Sequence, residues 1–365
     1  MLARQDKFCG LPSCTSWRPI GASAGFADGV EMTAPLDVPP AEAMIAEGAG
    51  PQSPAGDAVE GRSLGQIAWL RLRRDKLAMT GGVVVILFCI VALLGPYLVG
   101  DPLAYHSNLI DPTLSRPLGP WGGISLAHPL GVEPVTGRDL LARVVNGAKW
   151  SLLIALLATI LAVGIGVVMG ILSGYVGGWV DSVIARSMDV FLAFPLLVFA
   201  IALIGVIPTS AHFGPLRASG LALRVGLLIF IIGFFNWPYM GRIIRGQTLS
   251  LREREFVDGA RSIGARTPYI LFREILPNLV GPILVYSTLL IPTNILFEAA
   301  LSYLSVGIQP PTATWGGMLS DAVTNEWYSI DPLAMLVPGM AIFITVIAFN
   351  LFGDGLRDAL DPKSR

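Results

Sequence analysis

Charge is what this 365-residue chain has least of, with 14% of its residues Asp, Glu, Lys or Arg where a soluble domain has roughly 25%. So few ions cannot cover a water-facing surface of this size, which excludes a soluble enzyme and a nucleic-acid binder. Only four lysines occur, Lys7, Lys76, Lys149 and Lys363, and none follows a glycine. A phosphate-cradling loop needs Gly-Lys-Ser/Thr, so nucleotide hydrolysis is not expected of this chain. His106, His128 and His212 are scattered without ligand spacing, so no metal site is expected. Three cysteines cannot build a disulfide framework: Cys9 and Cys14 read as idle thiols and Cys89 as a small hydrophobe. No nucleophile stands beside a base and an orienting group, so no catalytic residue is assigned.

What is present is apolar. Hydrophobic residues make up 53% of the chain, and six runs meet the roughly 20-residue requirement of a bilayer span. They lie near 77–99, 152–176, 188–208, 221–240, 278–299 and 333–353. The fold class expected is therefore an all-α polytopic membrane protein with six transmembrane helices. Six spans put both ends of the chain on one side. With the N-terminus in the cytoplasm, the inside segments 62–76, 177–187, 241–276 and 354–365 carry five, one, seven and three basic residues. The outside segments carry four, two and none, the two being Arg217 and Arg224, the latter in a span's first turn. The positive-inside rule places both termini in the cytoplasm. Asp189 and Glu298 are the only acids near the spans, each close to a span end. They read as structural hydrogen-bonders, and this scarcity suggests that transport energy comes from elsewhere.

Residues 1–61 hold three basic and eight acidic residues and are rich in Ala, Gly, Pro and Ser without apolar periodicity. They read as a disordered cytoplasmic tail. Arg4 and Lys7 lead into Phe8-Cys9-Gly10-Leu11-Pro12 with no apolar h-region, so no signal peptide is read there; a start at Met32 is the plain alternative. The organisation expected is this tail, a basic cytoplasmic segment 62–76, a first span 77–99 and an extracytoplasmic loop 100–151. A transmembrane core 152–353 with a cytoplasmic loop 241–276 follows, then a cytoplasmic C-terminal tail 354–365.

Two patterns stand out. Gly166, Gly170, Gly174 and Gly178 recur every four residues, which lines one helix face for close backbone approach. Pro277, Pro282 and Pro292 are expected to kink or locally unwind the fifth span. In the 241–276 loop, Ser250 and Glu253 have capping-box spacing. Phe256, Ala260 and Ile263 fall at i, i+4 and i+7 as an apolar stripe, and Pro268 closes the segment. Gly259 and Gly264 each weaken a helix by about 1 kcal/mol relative to alanine, so they call for a packing reason. Such a helix suits either a groove on a cytoplasmic partner or lipid headgroups, and the residues alone leave both open.

The stretch Glu255-Phe256-Val257-Asp258-Gly259-Ala260-Arg261-Ser262-Ile263-Gly264, followed after nine residues by Glu274-Ile275-Leu276-Pro277, resembles the EAA signature of bacterial ABC importer permeases. Three further stretches resemble the C-type subunit of the dipeptide/oligopeptide/nickel branch. They are His128-Pro129-Leu130-Gly131 with Gly137-Arg138-Asp139, residues 306–318, and residues 349–362. Asp258-Gly259-Ala260 stands where the general signature has Glu-Ala-Ala, and Glu274 where isoleucine is usual. The resemblance spans about 62–362 and implies a type I ABC importer permease fold in the bacterial inner membrane. It implies a heterodimer with a homologous permease subunit, two ATPase subunits that hold ATP and Mg, and an extracytoplasmic solute-binding protein. It makes Glu255, Phe256, Asp258, Gly259, Ala260, Arg261, Ile263 and Gly264 the coupling contact with an ATPase. Peptides are the cargo it implies first, with nickel complexes, oligosaccharides or haem as alternatives. An ion-coupled secondary transporter and a membrane-embedded enzyme are the competing classes.

Overall fold

The computed structural model describes residues 64–119, 121–206, 210–213 and 216–360. The expectations for the tail 1–61, with Cys9 and Cys14, lie outside the described residues. Ten main helices order the rest. They are α1 Leu64–Arg74, α2 Lys76–Leu98, α3 Leu140–Val176, α4 Gly178–Ala193, α5 Leu196–Val206, α6 Leu221–Arg252, α7 Glu255–Ser262, α8 Leu276–Tyr303, α9 Trp315–Thr324 and α10 Leu333–Leu360. Two four-residue strands, Ser210–Phe213 and Leu216–Ser219, pair antiparallel between α5 and α6, an addition to the expected all-helical spans.

Among the described residues five helices are long and apolar enough to cross a membrane: α2, α3, α6, α10 and the continuous run Thr267–Tyr303 that contains α8. The expected span at 188–208 is not a straight helix. Helix α4 and the stretch Leu196–Ile204 of α5 meet at a 78° bend and make a sixth span only as a broken pair. Pro195 is the physical reason. It disfavours helical backbone in the residue before it, and Phe194 is extended at φ −80°, ψ 127°.

Several helices outrun their apolar cores. Helix α3 has 37 residues, about 55 Å at 1.5 Å per residue, and starts twelve residues before the expected span. Asp139 caps it by accepting from the Leu141 backbone N–H at 2.8 Å. Helix α6 runs on to Arg252, so Ser250 lies in its last turn and does not begin a helix; the Ser250–Glu253 capping box does not form. Pro268 opens the next helical turn, Thr267–Tyr269, and does not close the preceding segment, because its missing N–H is harmless in a first turn. Pro282 and Pro292 sit inside a continuous α8. The distortion lies ahead of Pro277, where Ile270–Ile275 forms a wide π-type turn and the Leu276 N–H reaches Leu271 O.

The bundle is organised around α3 and α6, which run parallel in close contact. A Cβ on Gly166 would lie 2.7 Å from Met240 Cβ, on Gly170 2.7 Å from Gly241 O, and on Gly174 2.7 Å from Thr248 Cβ. Hydrogen is thus the only side chain these positions accept without a shift. Gly178 does not belong to this face: α3 ends at Val176, and Gly178 starts α4 at φ +57° with open space around it. Facing glycines answer each other, since a Cβ on Gly233 of α6 would meet Ala158 O of α3 at 2.7 Å.

A polar chain crosses the same core. Asn236 Nδ2 of α6 donates to Asn294 Oδ1 of α8 at 2.9 Å, and Asn294 Nδ2 donates to Thr159 Oγ1 of α3 at 2.8 Å. Interhelical bonds of this kind contribute on average about 0.6 kcal/mol each in a membrane bundle. At the far end of α8, buried Glu298 accepts from Ser302 Oγ at 2.8 Å, which suits a structural role.

Helices α2 and α10 pack antiparallel, with a Cβ on Gly81 2.8 Å from Ala348 O and one on Gly355 meeting Ala78 Cβ. The outward side of α2 carries Val83, Ile86, Leu87, Ile90, Leu93 and Leu94 exposed, as a lipid-facing helix requires. Gly170→Leu should therefore cost about 1–3 kcal/mol of overpacking and lower the thermal inactivation midpoint of the purified protein by at least about 2 °C. Gly164→Leu on the open side of α3 should leave the midpoint unchanged, and equal losses from both would contradict this packing.

Candidate functional site

The segment singled out in the sequence lies at the C-terminal end of α6. Two residues, Glu253 and Arg254, separate α6 from α7. Helix α7 has no side-chain N-cap bond, since Arg254 occupies the cap position. It is held instead by its buried side: Val257 and Ala260, at i and i+3, join Ile171 of α3, Met240 and Ile244 of α6, Ile270, Ile275 and Leu279. The apolar stripe drawn from the sequence shared only Ala260 with this arrangement. Phe256 is 40% exposed and Ile263 85% exposed, so both face away from the bundle.

The end of α7 explains Gly264. The Ala265 N–H donates to Ala260 O at 3.0 Å and the Gly264 N–H to Arg261 O at 2.9 Å, the paired bonds of a Schellman cap. That cap needs a left-handed residue, and Gly264 has φ +80°. No atom lies within 4 Å of a Cβ placed on Gly264 or on Gly259. The cap accounts for Gly264; among the described residues nothing accounts for Gly259. Of the polar residues, Glu255 is exposed, and Asp258 accepts from Arg261 Nη1 at 3.1 Å along the helix. Arg261 also lies 5.6 Å over the Tyr175 ring at the end of α3. The side of α7 facing away from the bundle therefore presents Glu255, Phe256, Asp258, Gly259 and Ile263 together.

A charged clamp beneath α7 was not picked out from the sequence. Asp181 of α4 takes a two-pronged contact from Arg245 of α6, Nε to Oδ1 at 2.5 Å and Nη2 to Oδ2 at 2.7 Å. Ser173 Oγ of α3 donates to the same carboxylate, so one side chain joins three helices. Arg252 Nη1, at the end of α6, reaches Gly174 O and Tyr175 O of α3 at 3.4 Å each. Asp189, which the sequence did single out, pairs with Arg242 at 2.7 Å on an exposed face.

The opposite end of the bundle holds the remaining motif residues. Asp139 Oδ2 meets His128 Nδ1 at 3.1 Å, and the His128 ring lies 4.9 Å from that of His106, so these two are brought together despite their separation in sequence. Among the described residues no group of three or more His, Cys, Asp or Glu could hold a metal ion. Glu133 accepts from Arg138 Nε at 2.8 Å. It also pairs with Arg143 Nε at 2.6 Å, at an angle too bent for a hydrogen bond. Arg143 Nη2 reaches Asp321 of α9 at 3.4 Å. Burial pushes the Asp321 carboxyl up, and Arg143 opposes that shift. This network fastens the loop before α3 to α9, whose Trp315 Nε1 donates to Val144 O at 2.9 Å.

Comparison with known proteins points one way. Residues 166–365 match the family described as binding-protein-dependent transport system inner membrane component. Residues 63–117 match the N-terminal TM domain of oligopeptide transport permease C. The chain is 41% identical over 308 residues to the oligopeptide transport system permease protein OppC of Escherichia coli K12, covering 84% of this chain and 94% of that one. It is 42% identical over 299 residues to the glutathione transport system permease protein GsiD of Shigella flexneri, covering 81% and 89%. Among solved structures, a chain of the inward-facing MetNI methionine ABC transporter is similar over 60% of this chain and 95% of that one, with TM-score 0.46 and 16% identity.

The clamp makes a test. Asp181→Arg or Arg245→Asp alone leaves a like-charge pair between α4 and α6 and should lower the yield of folded protein from the membrane. The double swap should recover part of it, as a direct pair does in a double-mutant cycle. Additive losses without recovery would contradict the contact.

Proposed function

The chain belongs to the binding-protein-dependent transport system inner membrane component family, as a permease of the oligopeptide and glutathione ABC importer type, and from that premise we propose that it forms half of the pathway of an ATP-driven peptide importer. A homologous permease subunit supplies the other half, and two ATPase subunits hold ATP and Mg. An extracytoplasmic solute-binding protein delivers di- or oligopeptides, a reading supported by the oligopeptide and glutathione in the names of the two relatives. Arg71, Arg73 and Arg74 at the end of α1 and Arg242, Arg245 and Arg252 in the last part of α6 support a cytoplasmic position for those ends and, with them, for both termini.

The observation that carries this reading is the divided character of α7. Its inner side is two buried residues, Val257 and Ala260, while its outer side holds an exposed phenylalanine, an exposed isoleucine, the exposed acid Glu255, and Asp258 paired with Arg261 along the helix. Large apolar side chains held outward beside charges suit a protein cleft, where a few buried anchors dominate the affinity. Phe256 and Ile263 are the anchors, Glu255 and Asp258 meet basic groups of the ATPase, and Gly259 leaves room for close approach. When ATP closes the ATPase pair, α7 moves with its cleft. The Val257 and Ala260 contacts pass that motion to α6 and α3, and the bundle moves between two packed arrangements.

Gly264→Leu does not isolate this contact, because a side chain at φ +80° strains the cap whether or not a partner docks. Ile263→Glu is cleaner, since Ile263 is largely exposed. Combined with Phe256→Ala, it should lower binding-protein-stimulated ATP hydrolysis and peptide uptake by about tenfold or more, the effect of losing about 1.4 kcal/mol at anchor positions. Membrane insertion and thermal midpoint should stay unchanged. Unchanged uptake and ATP hydrolysis would overturn the assignment.

A further inference from the structure

Helix α1 takes no part in the packing of α7, and it is amphipathic. Its inner side is narrow. Ala68 and Leu72 are buried, and Leu72 packs with Ala78 of α2 and Ala359 of α10. The side turned away from the bundle carries Ile67 and Leu70 with Arg74 at i, i+3 and i+7, flanked by Trp69 and Arg73 at i and i+4. Trp69 is 57% exposed. Arg73, Arg74 and the adjoining Lys76 are exposed and pair with no carboxylate among the described residues. The apolar side chains occupy the N-terminal half of this face and the cations the end that joins α2.

Connectivity fixes what lies next to this face. Asp75 alone separates α1 from α2, whose N–H groups at Leu77 and Ala78 it caps, and α2 crosses the bilayer. An 11-residue helix is about 16 Å long, so every residue of α1 lies within that distance of the point where the chain enters the membrane. An exposed tryptophan and aliphatic side chains with a basic fringe are the composition of a helix lying in the plane of the headgroups.

We propose that α1 is an interfacial anchor that binds anionic phospholipid: Arg73, Arg74 and Lys76 hold the headgroup phosphates, and Ile67, Trp69 and Leu70 enter the boundary with the acyl chains. Each cation near such a surface is worth about fivefold in affinity, so the site selects acidic over zwitterionic lipid. Because α1 is pinned to the ends of α2 and α10, the anchor sets the depth of the first and last spans together. The inference depends only on α2 crossing the bilayer, not on the importer assignment.

The test places a bimane label through Leu70→Cys in the full chain, assembled with its partner subunits, with Cys9, Cys14 and Cys89 replaced. The protein is reconstituted in phosphatidylcholine vesicles with or without phosphatidylglycerol. A nitroxide carried on the lipid headgroup should quench the label severalfold more strongly when phosphatidylglycerol is present, and soluble iodide should quench it less. Arg73→Glu with Arg74→Glu and Lys76→Glu should remove that lipid dependence; the comparison of lipids in the unaltered basic background stands even where this variant inserts poorly. Equal iodide quenching in both lipids would overturn the proposal. Shielding seen only with ATPase subunits bound would assign the face to a protein partner and also overturn it. Shielding lost when residues 1–61 are removed would assign the face to the acidic tail, with the same consequence.

Discussion

The close approach of α3 and α6 at Gly166, Gly170 and Gly174 is the constraint on which the rest of the bundle depends. Between two helices in lipid there is no hydrophobic gain from leaving water, so close packing and hydrogen bonds must hold the pair. Removing side chains at three successive turns lets the backbones come together and gives the pair a fixed register. That register brings Arg245 and Arg252 of α6 to Asp181 and to the carbonyls at the end of α3. It also sets the floor of Ile171, Met240 and Ile244 on which α7 rests. A change in α3–α6 register would therefore displace α7, and a pull on α7 acts on both helices.

The division of labour along the chain follows from where polar groups can be satisfied. The middle of the bundle keeps one compact hydrogen-bonded chain, Asn236–Asn294–Thr159, and the charges lie toward the ends. At one end a single carboxylate, Asp181, joins three helices. At the other, Glu133, Arg138, Arg143 and Asp321 tie the loop before α3 to α9. The Glu133–Arg143 pair is buried and costly to break because the orphaned partner would remain buried, whereas the Asp181 clamp is half-buried. Both ends are thus stiffened, while α7, with only Val257 and Ala260 buried, is attached lightly enough to follow an external partner.

Much of this was legible in the sequence because apolar runs and glycine spacing follow directly from lipid physics. Five of the six spans and three of the four glycines of the expected face, Gly166, Gly170 and Gly174, follow from residues alone, and so does a short helix in the 241–276 loop, though not its start or its buried side. What escaped had local causes. The true start of α3 was hidden because Arg143, Asn146 and Lys149 interrupt its hydropathy, although Asp139 carried the cap signal. Pro195 broke a run whose composition alone looked continuous. Ser250 and Glu253 had capping spacing, but α6 had not ended. Asp181 was passed over because 177–187 was read as loop, and its partners lie far away in sequence. Val257 was missed as an anchor because both Phe256 and Val257 are apolar, and only packing decides which of two neighbouring residues turns inward.

The importer assignment and the light attachment of α7 meet at one side chain, Ile263, which the fold leaves outside and the mechanism needs inside a partner. A photo-crosslinking amino acid in place of Ile263, in the full transporter with its native partners, measures that contact without disturbing the core. The expected result is a covalent adduct with an ATPase subunit, whereas the same reagent in place of exposed Tyr105, at the opposite end of the bundle, yields no ATPase adduct. Crosslinking from position 263 only to lipid or to the permease itself, with the ATPase present and active, would contradict α7 as the coupling contact.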